Sequence, residues 1–180
     1  PAVEAGTPLR IRLAAPTGKA AARLTESISQ QVRTLQVAAA VKDKIPSDVT
    51  TVHRLLGSRP GTRHFRHHAG NRLPLDVLVV DEASMIDLEM MANLLDALPP
   101  HARRVLLGDK DQLASVEAGA VLGDLCRDAE AGWYSSATRA WLEAVSHESL
   151  ADSGLHEDQD GSHPLAQQVV MLRHSRRFGE

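Results

Sequence analysis

The segment VLVVDEAS sets two carboxylates, Asp81 and Glu82, directly behind a short apolar run. An acid pair at the end of a buried strand suits a magnesium–nucleotide site. The first carboxylate can hold Mg²⁺, usually through a bound water, and the second can polarise the water that attacks a γ-phosphate. Acidic residues are also favoured at helix N-termini, so the pair alone fits a plain turn as well. LLGDKDQL repeats the theme, an apolar run ending in Gly108-Asp109 with Gln112 three residues beyond the aspartate. A glutamine so placed can orient the water or report the presence of a γ-phosphate; it can equally cap a helix. Near the end stand Arg173, His174, Arg176 and Arg177. An arginine from such a segment can stabilise the charge on a transferred phosphoryl group, though a solvated basic tail is the commoner case.

Pro16-Thr17-Gly18-Lys19 looks like the end of a phosphate-binding loop and is not one. The pattern G-x-x-x-x-G-K-[ST] requires Gly and Ser/Thr where Leu13 and Ala20 stand. What remains is a strand-end turn whose Thr17, Lys19 and free helix N–H groups could seat a single phosphate. On these residues alone a simple helix cap is favoured. His64, His67 and His68 have no companion cysteines or acids nearby, so a basic loop is a better reading of them than a metal site. Cys126 lies on an apolar helix face and reads as a small core residue.

These residues need a scaffold, and the hydrophobic pattern supplies an alternating α/β one. Residues 9–15 alternate apolar and basic side chains, as a strand does. Ala21, Leu24, Ile28, Val32 and Leu35 step by three or four and predict a helix with Thr17 as its cap. Residues 42–48 read as a loop and residues 51–56 as a helical turn closed by Gly57. Residues 58–74, with Arg59, Arg63, Arg66, Arg72 and the three histidines, read as a basic loop or irregular hairpin. Residues 76–80 and 104–107 predict two buried strands, with a helix carrying Ile86, Met90, Leu94 and Leu98 between them and stopped by Pro99-Pro100. Short helices are predicted around Val121–Leu125 and around Ala137–Val145. Residues 149–164 read as an acidic mobile loop, and residues 165–172 as a final strand. Strands alternating with helices imply a parallel sheet with right-handed crossovers, and ligands of such sheets sit at the carboxyl ends of the strands.

The 180 residues suffice for one ordinary domain, and 43% hydrophobic residues suffice for a core. With aromatics at 3%, that core must be Ala, Leu and Val. No apolar run is long enough to cross a bilayer, and no signal peptide is visible. A single cysteine excludes a disulfide framework and fits a reducing cytoplasm. The net charge of -3 conceals an asymmetry: +8 over residues 1–75 and -13 over residues 76–165. A basic half suits contact with a polyanion.

The ordered series LAAPTGKAAARL, TVHRLLG, VLVVDEASMID, LLGDKDQLASVEAGAVLGDL and HSRRFG resembles the RecD-type helicases of superfamily 1, as found in the alpha subunit of exodeoxyribonuclease V. The resemblance runs from about residue 9 to about residue 123 and resumes at residues 172–179. It implies a RecA-like motor that couples ATP hydrolysis to 5′→3′ movement on single-stranded DNA, with ATP and Mg²⁺ as cofactors and further subunits of a RecBCD-like complex as partners. Asp81 and Glu82 then match the Mg²⁺-holding and water-activating acids, Gln112 the γ-phosphate sensor, and Arg177 the arginine of a motif usually read S-Y-R-F, here with Arg176 in place of Tyr. Pro16, Thr17 and Lys19 match one DNA-backbone motif, and Thr51, His53 and Arg54 the next, so the phosphate seated by the Pro16–Lys19 turn is expected to be DNA's. The resemblance places the P-loop strand and helix before residue 9 and the second motor domain after Arg177. The expected fold is therefore an incomplete RecA-like domain over residues 1–165, with residues 166–180 a final strand leading onward. A stand-alone RecD-like or relaxase-associated helicase is the alternative enzyme, and a non-catalytic DNA-binding or assembly module the alternative of another class.

Overall fold

The structure, a computed structural model, describes residues 9–59, 61–109, 120–151 and 153–173. The chain divides into two compact units, residues 1–121 and 122–180.

The first unit is built on four parallel strands, β1 (Ile11–Ala15), β2 (Val49–Thr51), β3 (Val77–Val80) and β4 (Arg103–Leu106). Their order is β2-β1-β3-β4. The register pairs Leu13 with Val49 and with Val79, and Val79 in turn with Val105. This is the α/β, RecA-like arrangement expected from the sequence. The connecting helices are α1 (Gly18–Thr34), a short α2 (Ala39–Lys42), α3 (Val52–Leu56) and α4 (Leu88–Ala97).

Strand alternation sorts the core into two layers. On one face Leu13, Ala15 and Val49 pack with Ala20 and Ala21 of α1, joined by Ile11, Leu24, Ile28 and Val79. The other face carries Ala14, Leu78 and Val80, each fully enclosed. There α3 packs on β1, β2 and α4, and Leu56, Met91 and Leu94 are buried. Small alanines at the centre of the sheet let the helices lie close, which is how a core with so few aromatics fills. Side-chain caps start α1 and α4. Thr17 Oγ1 accepts from Ala20 N–H (3.2 Å), and Asp87 Oδ1 accepts from Met90 N–H (2.7 Å). Each cap is worth about 1 kcal/mol.

Several expectations need correction. Residues 49–51 carried no predicted strand, yet they form β2. Three residues flanked by polar neighbours show no alternation long enough to read, and the pairing with β1 supplies what propensity does not. β4 was predicted as a buried strand. Instead Arg103, Arg104 and Val105 are exposed, because β4 pairs on one side only, with β3, among the described residues. Residues 58–74 do form an irregular hairpin, with antiparallel bridges at Ser58–Phe65 and His68–Asn71. Gly57, at φ +74°, lets it start: a Cβ there would lie 2.7 Å from Arg66 Cβ.

The second unit holds α6 (Ser136–Ser146), and α5 (Ala120–Leu125) leads into it. The predicted final strand is absent among its described residues. Ala166–Gln168 instead winds into a 3-10 turn, with Gln168 N–H donating to Leu165 C=O and Val169 N–H to Ala166 C=O, and those inward bonds take residues out of any strand ladder. Several described residues within 149–164, expected to be a mobile loop, make contacts that the sequence did not suggest. Arg139 donates to the carbonyls of Leu150 and Leu155, and the indole of Trp133 is stacked between His156 and His163 at 4.6 and 4.5 Å. The buried Asp158 accepts from the backbone N–H groups of Ser162 and His163.

At the amino edge of the sheet a charged clasp joins three strands. Arg10 donates from its backbone N–H and Nε to Asp76 Oδ2 (2.8 and 3.1 Å) and from Nη2 to Oδ1 (2.9 Å), while His101 Nε2 lies 3.3 Å from Oδ1. The Arg10 side chain first, and its backbone N–H second, hold the Asp76 carboxyl well below the usual carboxylate range. A folded value below the unfolded one gives stability that is present above about pH 4 and is lost as the pH falls further. Asp76→Asn should therefore melt below the wild type at pH 7, and the gap should narrow as the pH drops below about 4. A gap that stays constant down to the acid transition contradicts the clasp.

Candidate nucleotide and nucleic-acid site at the carboxyl edge

Every chemically suggestive turn of the first unit leaves the same edge of the sheet. Ala15 pairs with Thr51, and Ala14 with Val80. The Pro16–Lys19 turn, the Thr51–Arg54 turn and the Asp81–Glu82 pair thus follow strands that lie side by side. With neighbouring strands about 4.8 Å apart, the outer two turns are separated by roughly 10 Å.

The Asp81–Met85 turn is fixed at both ends. Asp81 N–H donates to Ala14 C=O (3.0 Å) and Ala83 N–H to Leu107 C=O (2.8 Å). Between these anchors Glu82 sits in the left-handed region, at φ 51° and ψ 37°. That conformation is uncommon for a residue with a Cβ and costs on the order of 1 kcal/mol. Both carboxylates are half-buried. Glu82 Oε1 lies 3.8 Å from Nη1 of Arg23, on α1. In the 3-10 turn behind them (Ala83–Met85), Ser84 is buried and its Oγ has no hydrogen-bond partner among the described residues.

Two successive carboxylates supply oxygen donors only. Mg²⁺ on nucleotides is typically held by one or two carboxylates, with phosphates and waters filling the rest, so Asp81 and Glu82 fit that ion. No group of three or more His, Cys, Asp or Glu side chains that could cage a metal occurs among the described residues. The 180 residues contain no G-x-x-x-x-G-K-[ST] to cradle a triphosphate.

On the basic side, Thr17 and Lys19 are exposed at the start of α1. Thr51 Oγ1 caps α3 by accepting from Arg54 N–H (3.2 Å), and His53 and Arg54 are exposed on that helix. The His53 ring meets Phe65 of the hairpin edge-on, with centroids 6.1 Å apart, a contact the sequence did not suggest. Gly18, Ala22, Thr25, Thr51 and Arg54 line an open cleft of about 430 Å³ between α1 and the β2–α3 turn. Pro16 ends β1 and is half-buried. Gln112 and Arg177 lie outside the described residues. Arg23 was not among the residues singled out from the sequence. Its signal was faint: four residues after Lys19, it shares that residue's helix face.

A family model described as an AAA domain matches residues 2–118, and the chain belongs to that family. The chain is similar to the RecBCD enzyme subunit RecD of Mycolicibacterium smegmatis, 59% identical over 117 residues, which are 64% of this chain and 21% of that protein. It is similar to the RecBCD enzyme subunit RecD of Haemophilus influenzae, 46% identical over 175 residues, 94% of this chain and 26% of that one. The ATP-dependent RecD2 DNA helicase of Deinococcus radiodurans is 43% identical over 111 residues, 62% of this chain and 13% of the relative. These relatives bear out the expected likeness to RecD-type helicases. The chain spans at most about a quarter of their length.

The orphan hydroxyl makes a sharp prediction. A buried, unpaired polar group costs about 1–3 kcal/mol. Ser84→Ala should raise the unfolding free energy of the ligand-free protein by about 1 kcal/mol in urea titrations. A loss of stability would mean that the hydroxyl already has a partner in the fold.

Proposed function

We propose that this chain carries the DNA-binding and Mg²⁺-binding edge of an ATP-dependent DNA helicase of the RecD type, a subunit of a recombination and repair exonuclease that works with other subunits on single-stranded DNA in the cytoplasm. One observation carries the reading. Acidic and basic turns leave adjacent parallel strands at a single edge, so a nucleotide site and a phosphate-binding track share one rigid support. The AAA family membership and the names of the relatives support it, and the 5′→3′ direction of movement rests on that likeness alone.

Asp81 would hold Mg²⁺, and Glu82 would accept a proton from the attacking water. Bound ATP and Mg²⁺ supply a γ-phosphate whose charge is partly neutralised for attack. Gln112 would sense that phosphate and orient the water, and Arg177 would stabilise charge on it. Pro16, Thr17 and Lys19, with Thr51, His53 and Arg54, would hold the DNA backbone through side chains and helix-start amides. Contacts to phosphate give affinity without base preference. The RecD2 relative, named an ATP-dependent DNA helicase, favours a second reading, a stand-alone helicase. Purification of the full-length protein with or without partner subunits separates the two.

In the full-length protein, Glu82→Gln should bind ATP and hydrolyse none, while Asp81→Asn should also weaken the dependence on Mg²⁺. Near-normal hydrolysis in both variants would reduce the pair to a structural turn. It would also leave a non-catalytic DNA-binding or assembly module as the better account. The 180 residues alone, lacking a phosphate cradle, should show no turnover. On the DNA side, Lys19→Ala should weaken single-strand binding equally for all sequences. It should also lower the slope of log affinity against log salt by about 0.7. An unchanged affinity and slope would make the Pro16–Lys19 turn a helix cap and nothing more.

A further inference from the structure

In the second unit, α6 is turned with its apolar side outward. Ala137, Ala140, Trp141, Ala144 and Val145 recur at steps of three and four, so they form one stripe along the helix. All five are exposed, Trp141 and Val145 at 62% each. The opposite side carries Arg139, Leu142 and Glu143, all half-buried. Its polar groups are already engaged. Arg139 donates from Nη1 to Leu155 C=O (3.0 Å) and from Nη2 to Leu150 C=O (2.9 Å), and Glu143 Oε1 accepts from Leu150 N–H (2.7 Å). The helix start is capped as well, with Ser135 Oγ accepting from Thr138 N–H (3.2 Å). A surface helix ordinarily buries its apolar stripe and gives its polar side to water. In α6 the polar side is the one tied to the following loop, and the apolar stripe has no cover among the described residues. A contiguous exposed patch of this kind marks a contact surface.

We propose that this stripe docks a helix of a partner subunit, one whose own apolar side is flanked by Lys and Arg. Charge selects that occupant. Residues 122–173 carry nine Asp and Glu against three Arg and no Lys. A unit so acidic repels nucleic acid and attracts a basic protein segment. The same charge sets one copy of the chain against another. Size also tells against a second copy. The eleven residues of α6 give a face about 16 Å long, and one helix side of that length falls well short of the about 800 Å² per partner that a stable dimer needs. The stripe is therefore one anchor of a larger contact between subunits. Its three alanines let a partner helix come close, and the Trp141 indole stands among them as the large aromatic group that fills a pocket on the other side. The proposal rests on the reading that the protein works with other subunits, and it needs no part of the nucleotide site.

The test uses the full-length protein and the partner subunits that co-purify with it. Trp141→Ala and Val145→Asp should each weaken their association about tenfold or more, as loss of a central aromatic anchor does. Trp141→Phe, which keeps a ring, should retain most of the affinity. Circular dichroism and oligothymidylate binding of the protein alone should match wild type in all three. Glu148→Lys reverses an exposed acid two residues past the end of α6. It should slow association and flatten the decline of that rate with added potassium chloride. A benzophenone carried as Val145→p-benzoylphenylalanine should label a partner subunit, on a helix with Lys or Arg beside its apolar side. Unchanged association in both Trp141→Ala and Val145→Asp overturns the proposal. So does a label that falls on the same chain, on a second copy or on oligothymidylate. Failure of the underlying reading looks different: wild type would then co-purify with no other subunit, whereas failure of the proposal alone leaves the complex intact in both variants.

Discussion

The parallel register of β2, β1, β3 and β4 is the constraint on which the rest depends. Parallel strands put all their carboxyl ends at one edge, and each crossover helix must begin there. A hairpin connection would send alternate turns to opposite edges, and Asp81 would no longer share a surface with Thr17 and Thr51. The Arg10–Asp76–His101 clasp at the amino edge secures the same register from the other side, by tying residues that enter β1, β3 and β4. Chemistry gathers at one edge and reinforcement at the other.

The scaffold is locally relaxed almost everywhere, with capped helices and enclosed apolar layers. Two exceptions lie behind β3. Glu82 takes a left-handed backbone, as His147 does at the end of α6, and Ser84 buries a hydroxyl with no partner among the described residues, two costs within three residues. Strain persists where surrounding structure over-determines it, and here two backbone hydrogen bonds do so. Such a turn holds a carboxylate at a fixed place on the sheet edge, which ion binding and water activation both require.

What the sequence disclosed follows from how each signal is written. β3 and the acid pair were legible because four apolar residues ending in two carboxylates form a local pattern, and α1 because its apolar positions recur over about four turns. Thr17 and Thr51 were legible as turn residues by type and position. β2 was not, since a three-residue strand owes its existence to pairing with β1. The exposure of β4 was misread because an apolar run looks alike at a sheet edge and at its centre. The apolar stretch near residue 170 suggested a strand, and only the bonds that wind Ala166–Gln168 into a 3-10 turn reveal otherwise. The Arg23–Glu82 pair and the Trp133 stack join residues 59 and up to 30 positions apart, and no spacing rule reaches that far. Gln112 and Arg177, outside the described residues, stand on the sequence alone.

The claim that Mg²⁺ belongs to Asp81 at the carboxyl edge is open to direct mapping by metal-directed cleavage. Fe²⁺ replaces Mg²⁺ in the full-length protein with ATP, hydroxyl radicals are generated at the bound ion, and the backbone cuts are located. A four-residue strand separates the two edges by roughly 13 Å, enough to tell them apart. The cuts should cluster at residues 81–84 and vanish in Asp81→Asn. Cuts around Arg10, Asp76 and His101, or cuts at residues 81–84 that survive Asp81→Asn, would contradict the account.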